Sequence, residues 1–229
     1  MALILCLETA TDICSVALID QGRQALSVKA SGEAFDQASR LTLLIEACLN
    51  DSPYQLQDVD AVAVSIGPGS YTSLRIGLST AKGISYALDK PLIAINTLKS
   101  LAVGTAKTEG YPTALFCPMI DARRMEVFTG IFDAQGNTIL PPVAMILAAD
   151  SFQEYFEKGI HLIFSGNGAA KFQSLVSTSL AGFSSALPTA VHLGELAEAA
   201  FLQGQFEDIA YCEPFYLKPP NITIPRPLL

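Results

Sequence analysis

Short apolar runs separated by polar turns dominate the start of this chain. Ala2–Leu7, Cys14–Ile19 and Gln24–Lys29 predict three consecutive strands. The turns between them, Glu8–Asp12 and Asp20–Arg23, are short enough for an antiparallel meander. The period then changes. Across Phe35–Leu49 the apolar residues Leu41, Leu44, Ile45, Cys48 and Leu49 fall at helical spacing, and Asn50-Asp51-Ser52-Pro53 stops the helix. Val59–Ile66 is continuously apolar, as a central strand buried on both faces would be. After the turn Gly67-Pro68-Gly69-Ser70, Thr72–Leu88 reads as a helix. Pro91–Ile95 predicts a short strand, and Thr97–Lys107 a helix capped by Thr97.

The second half repeats this order without repeating the residues. Thr113–Met119, Met125–Phe132 and Thr138–Leu147 predict strands, the last interrupted by Pro141-Pro142. Asp150–Glu157 predicts a helix capped by Asp150 or Ser151. His161–Phe164 predicts a strand ending in Ser165-Gly166-Asn167-Gly168, and Ala169–Val176 and Leu193–Leu202 predict helices. The fold class is therefore α/β, with two actin-like (Hsp70/sugar-kinase-type, ribonuclease H-like) domains, each roughly βββαβαβα, facing a cleft. The expected division is residues 1–103 and 104–229, in the polar stretch Gly104–Gly110. The tail after Tyr211–Lys218 is expected to pack back on the first domain.

Composition narrows the function classes. Half of the 229 residues are hydrophobic, enough for a sizeable core, and the mean hydropathy is +0.38. Yet no apolar run reaches the roughly 18 residues of a membrane helix. Met1–Leu7 is cut short by Glu8 and has no basic region before it, so no signal peptide is expected. The five cysteines are odd in number and form no CxxC pair, which suits reduced, buried thiols in a cytoplasmic protein. A net charge of −8 argues against this chain holding a nucleic-acid backbone alone. His161 and His192 lie far apart and no HExxH or Gly-x-Ser-x-Gly motif occurs, so neither a zinc site nor a serine nucleophile is expected.

Two stretches carry the candidate chemistry. On the helix after the Gly-Pro-Gly turn, Ser73, Gly77, Ala81 and Ser85 recur every four residues and so share one face. That smooth stripe admits close approach of another backbone, within the chain or outside it. The loop before it lacks the Lys-Ser/Thr pair of a phosphate-binding loop, and Ser70 or Thr72 as N-cap would satisfy the helix amides internally. Elsewhere, the turns Glu8–Asp12 and Asp121–Arg124 occupy matching places in the two halves. In actin-like ATPases such turns hold nucleotide phosphates. Glu8, Thr9, Asp12, Asp121 and Arg123, with Gly166 and Gly168, are thus a candidate vestigial nucleotide or phosphate site. Against it, no glycine stands between Glu8 and Asp20, and Arg123-Arg124 stand where a second phosphate loop would carry glycines. Glu8–Asp12 also reads as an ordinary solvated hairpin turn, and Ser165–Gly168 as a glycine-rich strand-to-helix connection.

The motifs ILCLETATDICSVALI, IGPGSYTSLRIGLSTAKGISYALDKPLIAINTL, DARRMEVFTGIF and EPFYLK, in this order, resemble the TsaB (YeaZ) family. Tyr71 and Ser73 stand where that family usually shows phenylalanine and glycine. The resemblance implies a cytoplasmic, non-catalytic subunit that activates TsaD, the enzyme that transfers threonylcarbamoyl to adenosine 37 of tRNA. It implies a heterodimer with TsaD, joined by the ATPase TsaE, with tRNA touched only indirectly. It places the partner face on the first two helices, here Leu41, Leu44, Ile45, Ser73, Gly77, Ala81 and Ser85. The same face would form a homodimer when the partner is missing, which makes the two assemblies mutually exclusive. No cofactor is required by this chain, and ATP or ADP is expected at the complex interface alone. A TsaD-like metal site needs paired histidines on the second helix, which carries none. The competing classes are an active actin-like ATPase or small-molecule kinase, tested by Mg-ATP titration, and a peptidase, disfavoured by the lack of metal ligands and of a nucleophile.

Overall fold

The computed structural model describes residues 2–21, 23–31, 37–111 and 113–219, with the side chains of 23–31 and 37–39 outside the description. The elements of the N-terminal half are β1 (Leu3–Glu8), β2 (Ile13–Asp20), β3 (Arg23–Ser31), α1 (Gln37–Asn50), β4 (Ala61–Gly67), α2 (Tyr71–Leu88), β5 (Leu92–Asn96) and α3 (Thr97–Glu109). Those of the C-terminal half are β6 (Leu115–Asp121), β7 (Glu126–Phe132), β8 (Thr138–Ile146), α4 (Gln153–Glu157), β9 (Leu162–Ser165), α5 (Ala169–Gln173), β10 (Ala181–Phe183) and α6 (Ala190–Leu202). Each half is βββαβαβα. The two five-stranded sheets have the same order, β3-β2-β1-β4-β5 and β8-β7-β6-β9-β10. In each, the first three strands are antiparallel, and the fourth and fifth run parallel to the first.

The first sheet is covered on both faces, which is why its strands are continuously apolar. Along β1, Leu3, Leu5 and Leu7 join the core beneath α1 and α2, while Ile4 and Cys6 point to the opposite face and pack with Leu193 and Ala197 of α6. This is the two-residue alternation of a strand, with both sets fully or nearly fully buried. In the second sheet, Phe116, Ile120 and Phe132 meet Leu98 and Ala102 of α3, and Cys117, Phe164 and Leu162 meet Phe172 of α5 on the other side. The halves therefore exchange helices. α3 follows the first sheet in sequence and covers the second, and α6 follows the second and covers the first. The expected boundary at 103/104 falls inside α3.

Several local expectations differ from the structure. Asn96, not Thr97, caps α3: its Oδ1 accepts from the Lys99 amide at 3.0 Å. Thr97 is the first helical residue, and its buried hydroxyl accepts from the Gly67 amide at 3.1 Å. α4 has Phe152 at its N-cap position in left-handed conformation, and Ser151 instead accepts from the Ala148 amide. Pro141-Pro142 interrupt the ladder, where the register with β7 shifts between Leu140 and Val143, but β8 continues past them as an edge strand that needs no amide donors on its outer side. β10 has no sequence signal of its own: three residues are too few to show a period. The start of the first helix, Phe35-Asp36, lies outside the described residues.

Candidate functional site

The two halves enclose a cleft of about 1180 Å³. Its walls are the β1–β2 turn (Ala10–Asp12), the entry to α2 (Pro68–Thr72), the β6–β7 turn (Asp121–Met125) and the C-terminal segment Phe215–Pro219. The repeat explains this: corresponding hairpin turns of the two sheets face each other, as the sequence reading expects.

Of the candidate site residues, Asp12, Asp121 and Arg123 line the cleft, while Glu8 and Thr9 do not. Glu8 is fully buried at the end of β1. Its Oε1 accepts from Ser65 Oγ and from the Ala10 amide, each at 2.7 Å, and its buried Oε2 has no hydrogen-bond partner. Burial pushes its pKa up to about 7, against the hydrogen bonds from Ser65 and the Ala10 and Thr9 amides that pull it down. Thr9 Oγ1 donates to Ser73 O at 2.9 Å and so ties the turn to the first turn of α2. These two residues build the wall of the cleft from behind.

In the second half, Asp121 Oδ1 accepts from the Arg123 amide at 2.5 Å and from Lys171 Nζ at 2.6 Å. Lys171 Nζ also donates to Glu126 O, so one lysine of α5 pins both ends of the turn. Arg123 and Arg124 both adopt positive φ, 73° and 52°, which turns the chain sharply without glycine. Arg123, Arg124 and Asp12 are exposed on the cleft wall. Gly166 and Gly168 lie behind the turn. The Gly168 amide donates to Met119 O, and the Asp121 amide donates to Asn167 Oδ1, which docks this loop onto β6.

The Gly-Pro-Gly loop serves close packing. The Ser70 amide donates to Ala10 O at 2.7 Å, and a Cβ at Gly69 would overlap that same carbonyl. Ser70 occupies the N-cap position of α2 without a capping bond from its side chain, and its Oγ accepts from Ser73 Oγ instead. The smooth stripe has its counterpart inside the chain. Ser73, Gly77, Ala81 and Ser85 are all buried, and a methyl at Gly77 would overlap Thr9 Oγ1. Leu41 and Ile45 are likewise buried in the core beneath α1, with Leu44 half-buried against it. In the chain by itself, the residues expected for the partner face are thus covered from within. Periodicity identifies the small face of α2, but that face meets the sheet because the β1–β2 turn has to pass beneath it. The faces of α1 and α2 left to solvent are the opposite ones: Leu43 (60% exposed), and Thr72, Ser79, Gly83 and Tyr86 with half-buried Ile76. Nothing lies within 4 Å of a Cβ built at Gly83.

The repeated topology and the cleft between matching turns define a two-lobed protein of actin-like class. Residues 34–222 match the family described as TsaD: tRNA N6-adenosine threonylcarbamoyltransferase. The tRNA threonylcarbamoyladenosine biosynthesis protein TsaB of Bacillus subtilis is 30% identical over 178 residues, 76% of this chain and 76% of the relative. TsaB of Escherichia coli is 29% identical, covering 94% of each chain. The solved structure of YeaZ from Pseudomonas aeruginosa superposes with a TM-score of 0.80 at 29% identity, covering 95% of this chain and all of that one. The chain belongs to the TsaD family and, within it, to the TsaB (YeaZ) proteins.

Proposed function

We propose that this chain is a non-catalytic subunit that supports threonylcarbamoyladenosine formation in tRNA by pairing with TsaD. The role in that modification follows from the family. The observation that carries the pairing is the outer face of α1 and α2. Leu43 of α1 and Tyr86 of α2 stand 60% and 81% exposed, and on α2 the small residues Ser79 and Gly83 share the outward side of Tyr86, where a partner helix can approach closely. Copies of this chain would use the same face as a homodimer, and TsaE would join the heterodimer. In this reading ATP or ADP belongs to the assembled complex, and tRNA reaches this chain through TsaD. The Asp121–Arg124 turn has two arginines to meet phosphate charge but lacks the bare backbone of a phosphate loop.

The test is co-purification with TsaD and a tRNA-modification assay, comparing the parent with Gly83→Leu and Leu43→Glu. Both variants should fold, lose TsaD from the complex and lose modification. Full association and activity in both would remove this face from the function. The cleft itself favours a second reading, an ATPase or small-molecule kinase. Tight Mg-ATP binding with turnover by the isolated chain would establish it and displace the first.

A further inference from the structure

The segment from Glu207 to Lys218 runs along the N-terminal half and ends on the C-terminal half. The Glu207 amide donates to Leu92 O at 2.9 Å on the edge strand β5. Cys212 is buried in the core beneath α1 and α2. The Phe215 amide donates to Ile66 O at 2.7 Å, and Tyr216 stacks on Tyr71 with ring centroids 4.7 Å apart. The chain then crosses to the other side of the cleft, where Lys218 Nζ donates to Oε1 and Oε2 of Glu126 at 2.9 and 2.7 Å.

The two ends of this segment are held very differently. The hold on the first half consists of backbone hydrogen bonds, a buried side chain and a ring stack. Among the described residues, the hold on the second is an ion pair whose side chains are 45% and 20% exposed. Exposed pairs of this kind are weak and are screened by salt. Elsewhere the halves are joined by α3 and α6, which pack on each other and are linked by Lys107–Glu195. No residue of either helix lines the cleft. The helices thus join the halves away from the cleft, and the C-terminal segment joins them across its mouth.

We propose that Glu207–Lys218 is a latch over the cleft, with Lys218–Glu126 as its catch, and that releasing the catch lets the halves part. Lys171 keeps the receiving side in position by holding Glu126 O and Asp121. Opening widens access to the wall formed by Arg123 and Arg124.

The test uses the full chain carrying spin labels at Thr72→Cys and Ile146→Cys, both exposed residues of the cleft wall. The five native thiols are buried. Distance distributions between the labels are recorded for the parent, Lys218→Ala, Glu126→Gln and the charge swap Glu126→Lys with Lys218→Glu. Removing either partner should shift the distribution to longer distances. Raising salt from about 0.05 M to about 0.5 M should do the same for the parent. The swap should return the short distance at low salt. Unchanged distances in both single variants would overturn the latch, as would a shift in one single variant alone or a swap that stays open.

Discussion

Glu8 and Thr9 are neighbours in sequence and serve different ends. Thr9 fastens α2 to the β1–β2 turn and thereby requires glycine at position 77. Gly77→Leu should therefore destabilise the chain itself by about 1–3 kcal/mol, read as a lower urea midpoint. Gly83→Leu meets nothing and replaces a poor helix former, so it should leave stability unchanged or raise it by under about 1 kcal/mol. The pair separates a packing glycine from a surface one. Burial pushes the folded pKa of Glu8 up to about 7, from the ordinary carboxylate value of 4.5. The folded state then binds the proton more tightly than the unfolded state. Stability is fullest below the unfolded pKa and falls as pH rises towards 7. The loss across that window is on the order of 3 kcal/mol. Melting temperature against pH should decline over this range in the parent and stay flatter in Glu8→Gln. Equal slopes would assign the decline to other groups.

At the level of elements, most of the order of strands and helices was legible, because central strands such as β1 and β4 are apolar on both faces and each long helix keeps its period. What each face meets was not. The stripe on α2 predicts close approach, but a helical wheel does not say whether a partner or the chain's own turn approaches. Only the fold brings Thr9 beneath Gly77, and it leaves Thr72, Ser79 and Gly83 outward. α6 gave a stronger signal of burial than of destination. Its Ala190, Leu193 and Ala197 pack on a sheet assembled from residues more than 90 positions earlier. A chain ending at residue 189 would expose that apolar face, including Ile4, Cys6, Ala63 and Ile93. It should be recovered aggregated or with strong hydrophobic-dye binding.

For the whole molecule, the repeat and the cleft between matching turns were readable, since they depend on element order. The exchange of α3 and α6 was not, because sequence division follows composition and the polar stretch at Gly104–Gly110 lies within and just after a helix that belongs to the other sheet. Residues 1–103 expressed alone carry most of α3 without the second sheet and lack α6. That fragment should show no sigmoidal thermal transition, whereas the full chain should. That the C-terminal segment crosses the cleft to Glu126 was equally hidden. EPFYLK reads as a tail with aromatics, and its place over the cleft depends on Ile66, Tyr71 and Glu126, which no local pattern links to it.

The exchanged helices also bear on how damage spreads. When either half unravels, the other loses the cover of one sheet face, so the two melt as a single cooperative unit. The slowest-exchanging amides of β1 and β6 should then report the same opening free energy, and an injury confined to one sheet would be felt equally in the other.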